Sequence, residues 1–257
     1  MRRLAYFVLI LVGVTSCMTK RELVYMQNDN LKERVPTSMP NPYEPYKLQA
    51  NDVLSVKVQS DQPDLSSIFN IVDPSNPFGL ADPGSMYLSG YSIDEEGNIR
   101  LPIVGELKVA GLTTSETQEL IQRNVVRYIK DATVVVKVIS YKVSVLGEVR
   151  VPGYYYIYNE RATLLEGLAK AGDLTQAGNR SKVKLIRQTP QGSEVVLLDL
   201  TDPNLVQSPY YYLKPNDVLY VEPLRTQLKR DNLVVWNAVF AAVSAISTAV
   251  LVVTYFR

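Results

Sequence analysis

The sequence predicts an α+β protein: two small, mostly antiparallel modules followed by a C-terminal transmembrane helix. Three observations predict it. The phrase Tyr-x-Leu-x-x-Asn-Asp-Val-Leu-x-Val occurs at Tyr46–Val56 and again at Tyr211–Val221, so a similar unit is used twice. Two helices with capping boxes stand among eight β-rich runs. The closing stretch Asn232–Phe256 carries no charge over 25 residues.

Taken in order, the chain opens with a basic pair, Arg2 and Arg3, and an apolar run, Leu4–Val14, that is short for a bilayer span. Val14-Thr15-Ser16-Cys17 then reads as a lipobox, with residues 1–16 a lipoprotein signal peptide and Cys17 the lipid attachment site. The alternative is a short N-terminal anchor with an incidental cysteine. Met18 stands where an aspartate would mark inner-membrane retention, which favours the outer membrane. Residues 17–45 read as a lipid-anchored tether, with four prolines between Pro36 and Pro45 and no sustained apolar period.

Folded sequence begins at Tyr46, and the modules are assigned to residues 46–140 and 141–223. In each Asn-Asp copy a polar turn feeds a β-rich run, so Asp52 and Asp217 are read as turn residues; a ligand or metal site is the alternative. A second echo, Gly105–Gly111 against Gly147–Gly153, reads as a strand pair with a tight reversal in each copy. Strands are expected at Val53–Val58, Ile99–Val104, Thr133–Ile139, Val143–Val149, Tyr154–Tyr158, Val183–Arg187, Val195–Asp199 and Val218–Glu222. Asp94–Asn98 reads as a turn, and the stretch from Asp61 to Tyr91 as a surface insertion. Thr113-x-x-Glu116 caps a helix with Leu120, Ile121, Val125, Tyr128 and Ile129 on one face. Thr163-x-x-Glu166 caps another, with Leu165, Leu168 and Ala169 inward and Gly172 as its stop.

The segment 232–256 would be about 37 Å long as a helix, enough to cross a hydrocarbon core with some tilt. Its stripes differ. Asn237, Ser244 and Thr248 fall on a polar side with Ala241 and Tyr255, as candidate pore-lining positions. Val235, Val239, Ile246, Val250 and Val253 lie opposite. Ala238, Ala242, Ala245 and Ala249 form a small-residue stripe suited to close helix–helix contact. A plain single-pass anchor, whose Ser and Thr bond to their own backbone, is the competing reading.

Composition removes several chemistries. The chain has no histidine and a single cysteine, so Ser-His and Cys-His catalysis, His-ligated metals and internal disulfides are excluded. A formal charge of +1 offers no broad basic face for nucleic acid. No catalytic residue, cofactor or metal site is assigned. A glycosidase using two carboxylates is the enzymatic alternative, but its candidates Asp94, Glu95 and Glu96 sit in a turn with no sign of a desolvated pocket.

Tyr46–Val56 and Ile93–Thr113, after a lipobox and a Pro-rich tether, resemble the export domain of outer-membrane polysaccharide export proteins of the Wza type. Val145–Gly153, Thr163–Gly172 and Asn216–Leu219 resemble the soluble-ligand-binding β-grasp module that follows it. The resemblance implies a ring of identical subunits in the periplasm whose C-terminal helices form a pore through the outer membrane. It also implies an inner-membrane partner, a polysaccharide co-polymerase that regulates chain length, often with a tyrosine kinase. With one β-grasp copy where longer members carry two, a shorter vestibule is expected. The terminal helix is also more apolar than a typical pore-lining helix, a departure that bears on the open pore. Transport is expected to be passive, with the polymer moving past weakly bonding Asn, Ser and Thr side chains. A glycan-binding or scaffolding lipoprotein that forms no pore is the alternative. The tyrosine runs 154–156 and 210–212 are read as core and rim packing, with sugar stacking as the other possibility.

Overall fold

The computed structural model describes residues 23–27, 35–71, 90–189, 191–224, 239–245, 248, 252 and 253. Within them the chain is mixed α+β and mostly antiparallel, around two hydrophobic cores.

The first core lies between Leu48 and Val136. Its three-stranded sheet has β1 (Val53–Gln59) at the centre, flanked by β2 (Tyr91–Ser92) and β5 (Thr133–Val138), both antiparallel. Alternation sets the inward face: Leu54, Val56 and Val58 on β1 and Val134 and Val136 on β5 are buried, while Lys57 and Lys137 point out. Helix α1 (Pro63–Ser67) lies within the expected insertion, and Phe69 just beyond it is fully buried. The turn after Ile93 is closed by Asp94, whose carboxylate accepts the Asn98 N–H at 2.7 Å.

The stretch Ile99–Val104 is not one strand. β3 (Asn98–Leu101) ends at Leu101, the chain reverses over 102–104, and β4 (Gly105–Lys108) pairs back antiparallel from Leu101↔Gly105 to Asn98↔Lys108. The reversal therefore precedes Gly105 instead of lying between Gly105 and Gly111. Apolar Ile103 and Val104 continue the strand pattern, which is why periodicity alone runs through the turn.

Helix α2 (Thr114–Val125) starts on a reciprocal cap: Glu116 accepts the Thr113 N–H at 2.7 Å and Thr113 Oγ1 accepts the Glu116 N–H at 3.2 Å. Thr117, Ile121 and Val125 are buried against β5, and Ile129 follows them. Tyr128, expected on this face, is instead half exposed, because the helix ends at Val125 and the 3.6-residue period stops with it.

Residues 139–141 lead into the second core, and Val138 packs against both. Its five-stranded sheet runs β7 (Gly153–Tyr156), β6 (Lys142–Gly147), β10 (Val218–Pro223), β8 (Gly178–Thr189), β9 (Gly192–Leu198). The first and last strands, β6 and β10, lie side by side and parallel, while every other pair is antiparallel. A parallel pair needs a long crossover, here supplied by everything between Gly147 and Val218. Helix α3 (Leu164–Lys170) packs on one face of this sheet. Its buried side is Leu164, Gly167 and Leu168, with Leu165 half-buried and Ala169 exposed. The expected face is thus rotated. Gly167 gives room to Leu213, whose Cδ1 lies 2.7 Å from where a Cβ would sit. A glycine carries no apolar signal, so the sequence pattern could not mark that approach. Gly172 ends the helix at φ +74° as expected, with the Gly172 N–H donating to the Ala169 carbonyl.

The stretch between Cys17 and Tyr46 makes fixed contacts where it is described. Met26 N–H donates to Leu200 O at 2.9 Å and Gln27 N–H to Thr201 O at 2.7 Å. Tyr43 meets Tyr212 edge-on, with ring centroids 5.0 Å apart.

Candidate functional site

The repeated Asn-Asp turn is built the same way twice. Asn51 and Asn216 both take left-handed backbone, φ +69° and +65°, which asparagine tolerates. Asp52 then accepts the Gln49 N–H at 2.9 Å, and Asp217 the Lys214 N–H at 2.7 Å. Each turn delivers the central strand of its sheet, β1 or β10. The carboxylates, both buried, differ in their second partner. Asp52 takes the Tyr46 hydroxyl at 2.8 Å, whereas Asp217 takes Arg187 through Nε at 2.9 Å and Nη2 at 2.7 Å. Burial raises both carboxyls above the ordinary value; the Gln49 N–H and Tyr46 oppose it at Asp52, and Arg187 opposes it at Asp217. The donors around these oxygens make both aspartates architectural. Among the described residues no group of three or more His, Cys, Asp or Glu side chains could hold a metal ion.

Where the modules meet, a cleft of about 850 Å³ opens, lined by Tyr43, Tyr46, Tyr141, Tyr158, Lys137 and Arg161 among others. The hydroxyls of three of these tyrosines are tied back: Tyr43 donates to Glu160 O at 3.2 Å, Tyr46 to Asp52 and Tyr141 to Leu213 O at 2.6 Å. Arg161 lies 4.7 Å from the Tyr43 ring centroid. The cleft thus offers aromatic surface with two cations at hand. Sequence reading missed it, because its tyrosines come from three separate stretches. The density of tyrosine near residues 43–46 and 154–158 was the only available signal.

These tyrosines give a pH prediction. Burial, with Asp52 adding to it at Tyr46, pushes the Tyr46 and Tyr141 hydroxyls well above their ordinary range. An unfolded tyrosine ionises near pH 10, so above that pH the unfolded state releases protons that the folded state keeps. Stability is therefore full below about pH 10 and falls above it, by up to ~1.4 kcal/mol per pH unit for a group as buried as Tyr141. Urea unfolding at pH 8 and pH 11 checks this, with Tyr141→Phe expected to flatten the loss. An unchanged slope in that variant would remove Tyr141 as the cause.

Of the remaining sequence-assigned positions, Cys17, Asn237, Ala238 and Ala249 lie outside the described residues. Residues 239–245 are helical and exposed, including Ala242, Ser244 and Ala245, and Thr248 is helical and exposed too. Ser244 Oγ donates to Ala241 O and Thr248 Oγ1 to Ser244 O, each at 2.8 Å. Among the described residues no helix is long and apolar enough to cross a membrane, and much of 232–256 falls outside them. The tyrosine runs divide: Tyr155, Tyr210 and Tyr211 pack on the second core, while Tyr154 is exposed and meets Tyr156 edge-on at 6.2 Å.

An α+β module followed directly by a five-stranded sheet carrying one helix, with central strands delivered by matching turns, defines a protein of two small α+β domains. Residues 40–139 match the polysaccharide biosynthesis/export protein family and residues 141–221 match the SLBB domain. The chain belongs to the Wza-type polysaccharide export family. It is 36% identical over 148 residues to the EPS I polysaccharide export outer membrane protein EpsA of Ralstonia nicotianae (strain ATCC BAA-1114 / GMI1000), covering 56% of this chain and 39% of that protein. It is 30% identical over 187 residues to the protein of the same name from Ralstonia solanacearum, covering 70% of this chain and 48% of the relative. The matched region is thus less than half the length of either relative.

Proposed function

We propose that this chain is a non-catalytic subunit of an oligomeric outer-membrane translocon that exports capsular or exopolysaccharide. The observation that carries the reading is the pair of domain matches, export domain then SLBB domain, together with the similarity to relatives named as outer-membrane polysaccharide export proteins. On this reading Cys17 is acylated, the bulk of the chain stands in the periplasm, and copies close into a ring. An inner-membrane co-polymerase feeds the polymer, and no cofactor takes part. The helix of 232–256 crosses the membrane, with Asn237, Ser244 and Thr248 towards the lumen and Ala238, Ala242, Ala245 and Ala249 against neighbouring copies. Exposed Ala242, Ser244 and Ala245 support it, since a helix that packs only within a ring is bare in a single chain.

A second reading, a lipid-tethered scaffold without a pore, is favoured by the bonds of Ser244 and Thr248 to their own helix. Deleting residues 232–257 separates the two. Surface polysaccharide is expected to fall to background with the protein level unchanged. Undiminished export by the truncated chain would overturn the translocon reading.

A further inference from the structure

We propose that the cleft between the two modules binds a short stretch of glycan with sparse carboxylates. Lys137 and Arg161 take the carboxylate, and Tyr43 and Tyr158 flank the sugar rings. The inference rests on the export function proposed above for its ligand class. It adds a place on this chain and a charge for the polymer.

The cleft has the size of a ligand site, since about 850 Å³ falls within the usual range of roughly 300–1,000 Å³. Three parts of the chain form its walls. The first module gives Ser115 at the start of α2 and Lys137 on β5, and the second gives Tyr158–Arg161 between β7 and α3. Residues 43–46 are tied to both, Tyr46 to Asp52 and Tyr43 to Glu160 O. The walls are therefore held by bonds before any ligand arrives, and binding needs little reordering.

The surface they present is suited to sugar. The hydroxyls of Tyr43, Tyr46 and Tyr141 are spent on the protein, which leaves ring carbon towards the cleft. The Tyr158 ring is 78% exposed at the same wall, with Lys170 5.9 Å from its centroid. A pyranose ring lays its C–H face on such carbon and turns its hydroxyls outward to polar groups. Ser115 supplies one, a hydroxyl that makes no hydrogen bond among the described residues.

Charge narrows the class. Lys137 stands opposite Ser55 across the strand ladder, and among the described residues neither it nor the Arg161 side chain is ion-paired. Arg161 rests over the Tyr43 ring at 4.7 Å, a position that leaves the edge N–H groups of a guanidinium available to a carboxylate. Glu160 is the acid among the lining residues, so one positive charge is left over. That excess suits an isolated carboxylate. A dense polyanion would meet Glu160 as well.

The test titrates the detergent-solubilised full chain with a hyaluronan tetrasaccharide, in which alternate sugars bear a carboxylate, and follows the ligand by NMR. Binding is expected with a Kd on the order of 1 mM, weak enough for a polymer to move on. The carboxyl-reduced tetrasaccharide should bind roughly tenfold more weakly, having lost its charge-assisted hydrogen bonds. Arg161→Gln and Lys137→Gln should each weaken the acidic form about threefold and leave the neutral form unchanged. Tyr158→Ala should weaken both forms alike, by roughly fivefold. Arg127→Gln, outside the cleft, is the control, and thermal melts report that each variant is folded. Equal affinity for the acidic and reduced forms, or no binding up to roughly 10 mM, overturns the proposal. Unaltered affinity in both cation variants overturns it too, as does a heparin tetrasaccharide bound more than about tenfold tighter, the mark of unspecific cation attraction. These outcomes are read on purified protein, so a failed cleft is distinct from a failed translocon, which the 232–257 truncation decides through export.

Discussion

Replacing Arg187 with alanine is expected to destabilise the second module by about 3–5 kcal/mol, the usual cost of stripping one partner from a buried ion pair. Asp217 is fully buried, and Arg187 holds both of its oxygens while a third donor from the same guanidinium reaches Tyr212 O at 3.0 Å. Removing the guanidinium leaves the Lys214 N–H as the remaining bond to that carboxylate. The loss lands on the turn that delivers β10, the strand paired to both β6 and β8. Denaturant unfolding of the full chain measures it. A combined Arg187→Leu and Asp217→Asn variant should recover more than half of the loss, because the asparagine oxygen still accepts the Lys214 N–H and no charge stays buried. A loss below about 1 kcal/mol for Arg187→Ala would mean that water reaches the aspartate and that the pair is dispensable.

Gly147→Ala is expected to cost roughly 2–5 kcal/mol, combining left-handed backbone strain with a steric clash. Gly147 has φ +87°, and a Cβ there would sit 2.1 Å from the Val221 carbonyl oxygen, a backbone atom that cannot rotate aside. That oxygen belongs to the parallel β6–β10 pairing and accepts the Glu148 N–H at 3.1 Å. Gly105→Ala is the control. It has nearly the same φ, +89°, but nothing lies within 4 Å of its added Cβ, so it should cost only about 1–2 kcal/mol. Equal losses at the two sites would show that conformation alone, not close approach, requires glycine at Gly147.

These two glycines show how far the sequence could be read. Gly105 and Gly147 open similar heptads, yet Gly105 begins β4 and Gly147 ends β6. Only the second heptad contains the reversal, between β6 and β7. The matching letters reflect a shared need for left-handed backbone next to a strand, which many geometries satisfy. The Asn-Asp repeat was legible at a deeper level because its turn is closed by local bonds, Gln49 to Asp52 and Lys214 to Asp217, three residues apart. Both capping boxes were legible for the same reason. The buried face of α3 was not, since Gly167 is inward only by virtue of Leu213. The inter-module cleft was not either, because Tyr43, Tyr141 and Tyr158 converge from stretches that no local period connects.

By itself the sequence determined the α+β class, the two Asn-Asp turns, the helix starts at Thr113 and Thr163 and the absence of histidine chemistry. Each of these depends on residue identity or on bonds spanning a few positions. Tertiary structure alone decided that Arg187 is the partner of Asp217, that β6 and β10 run parallel, and that Tyr25 and Leu224 meet the same stretch of β8 and its approach. Those pairings join residues 30 to 148 positions apart or depend on a crossover. Such long-range contacts are selected by packing of the whole module, which leaves no periodic trace in the chain.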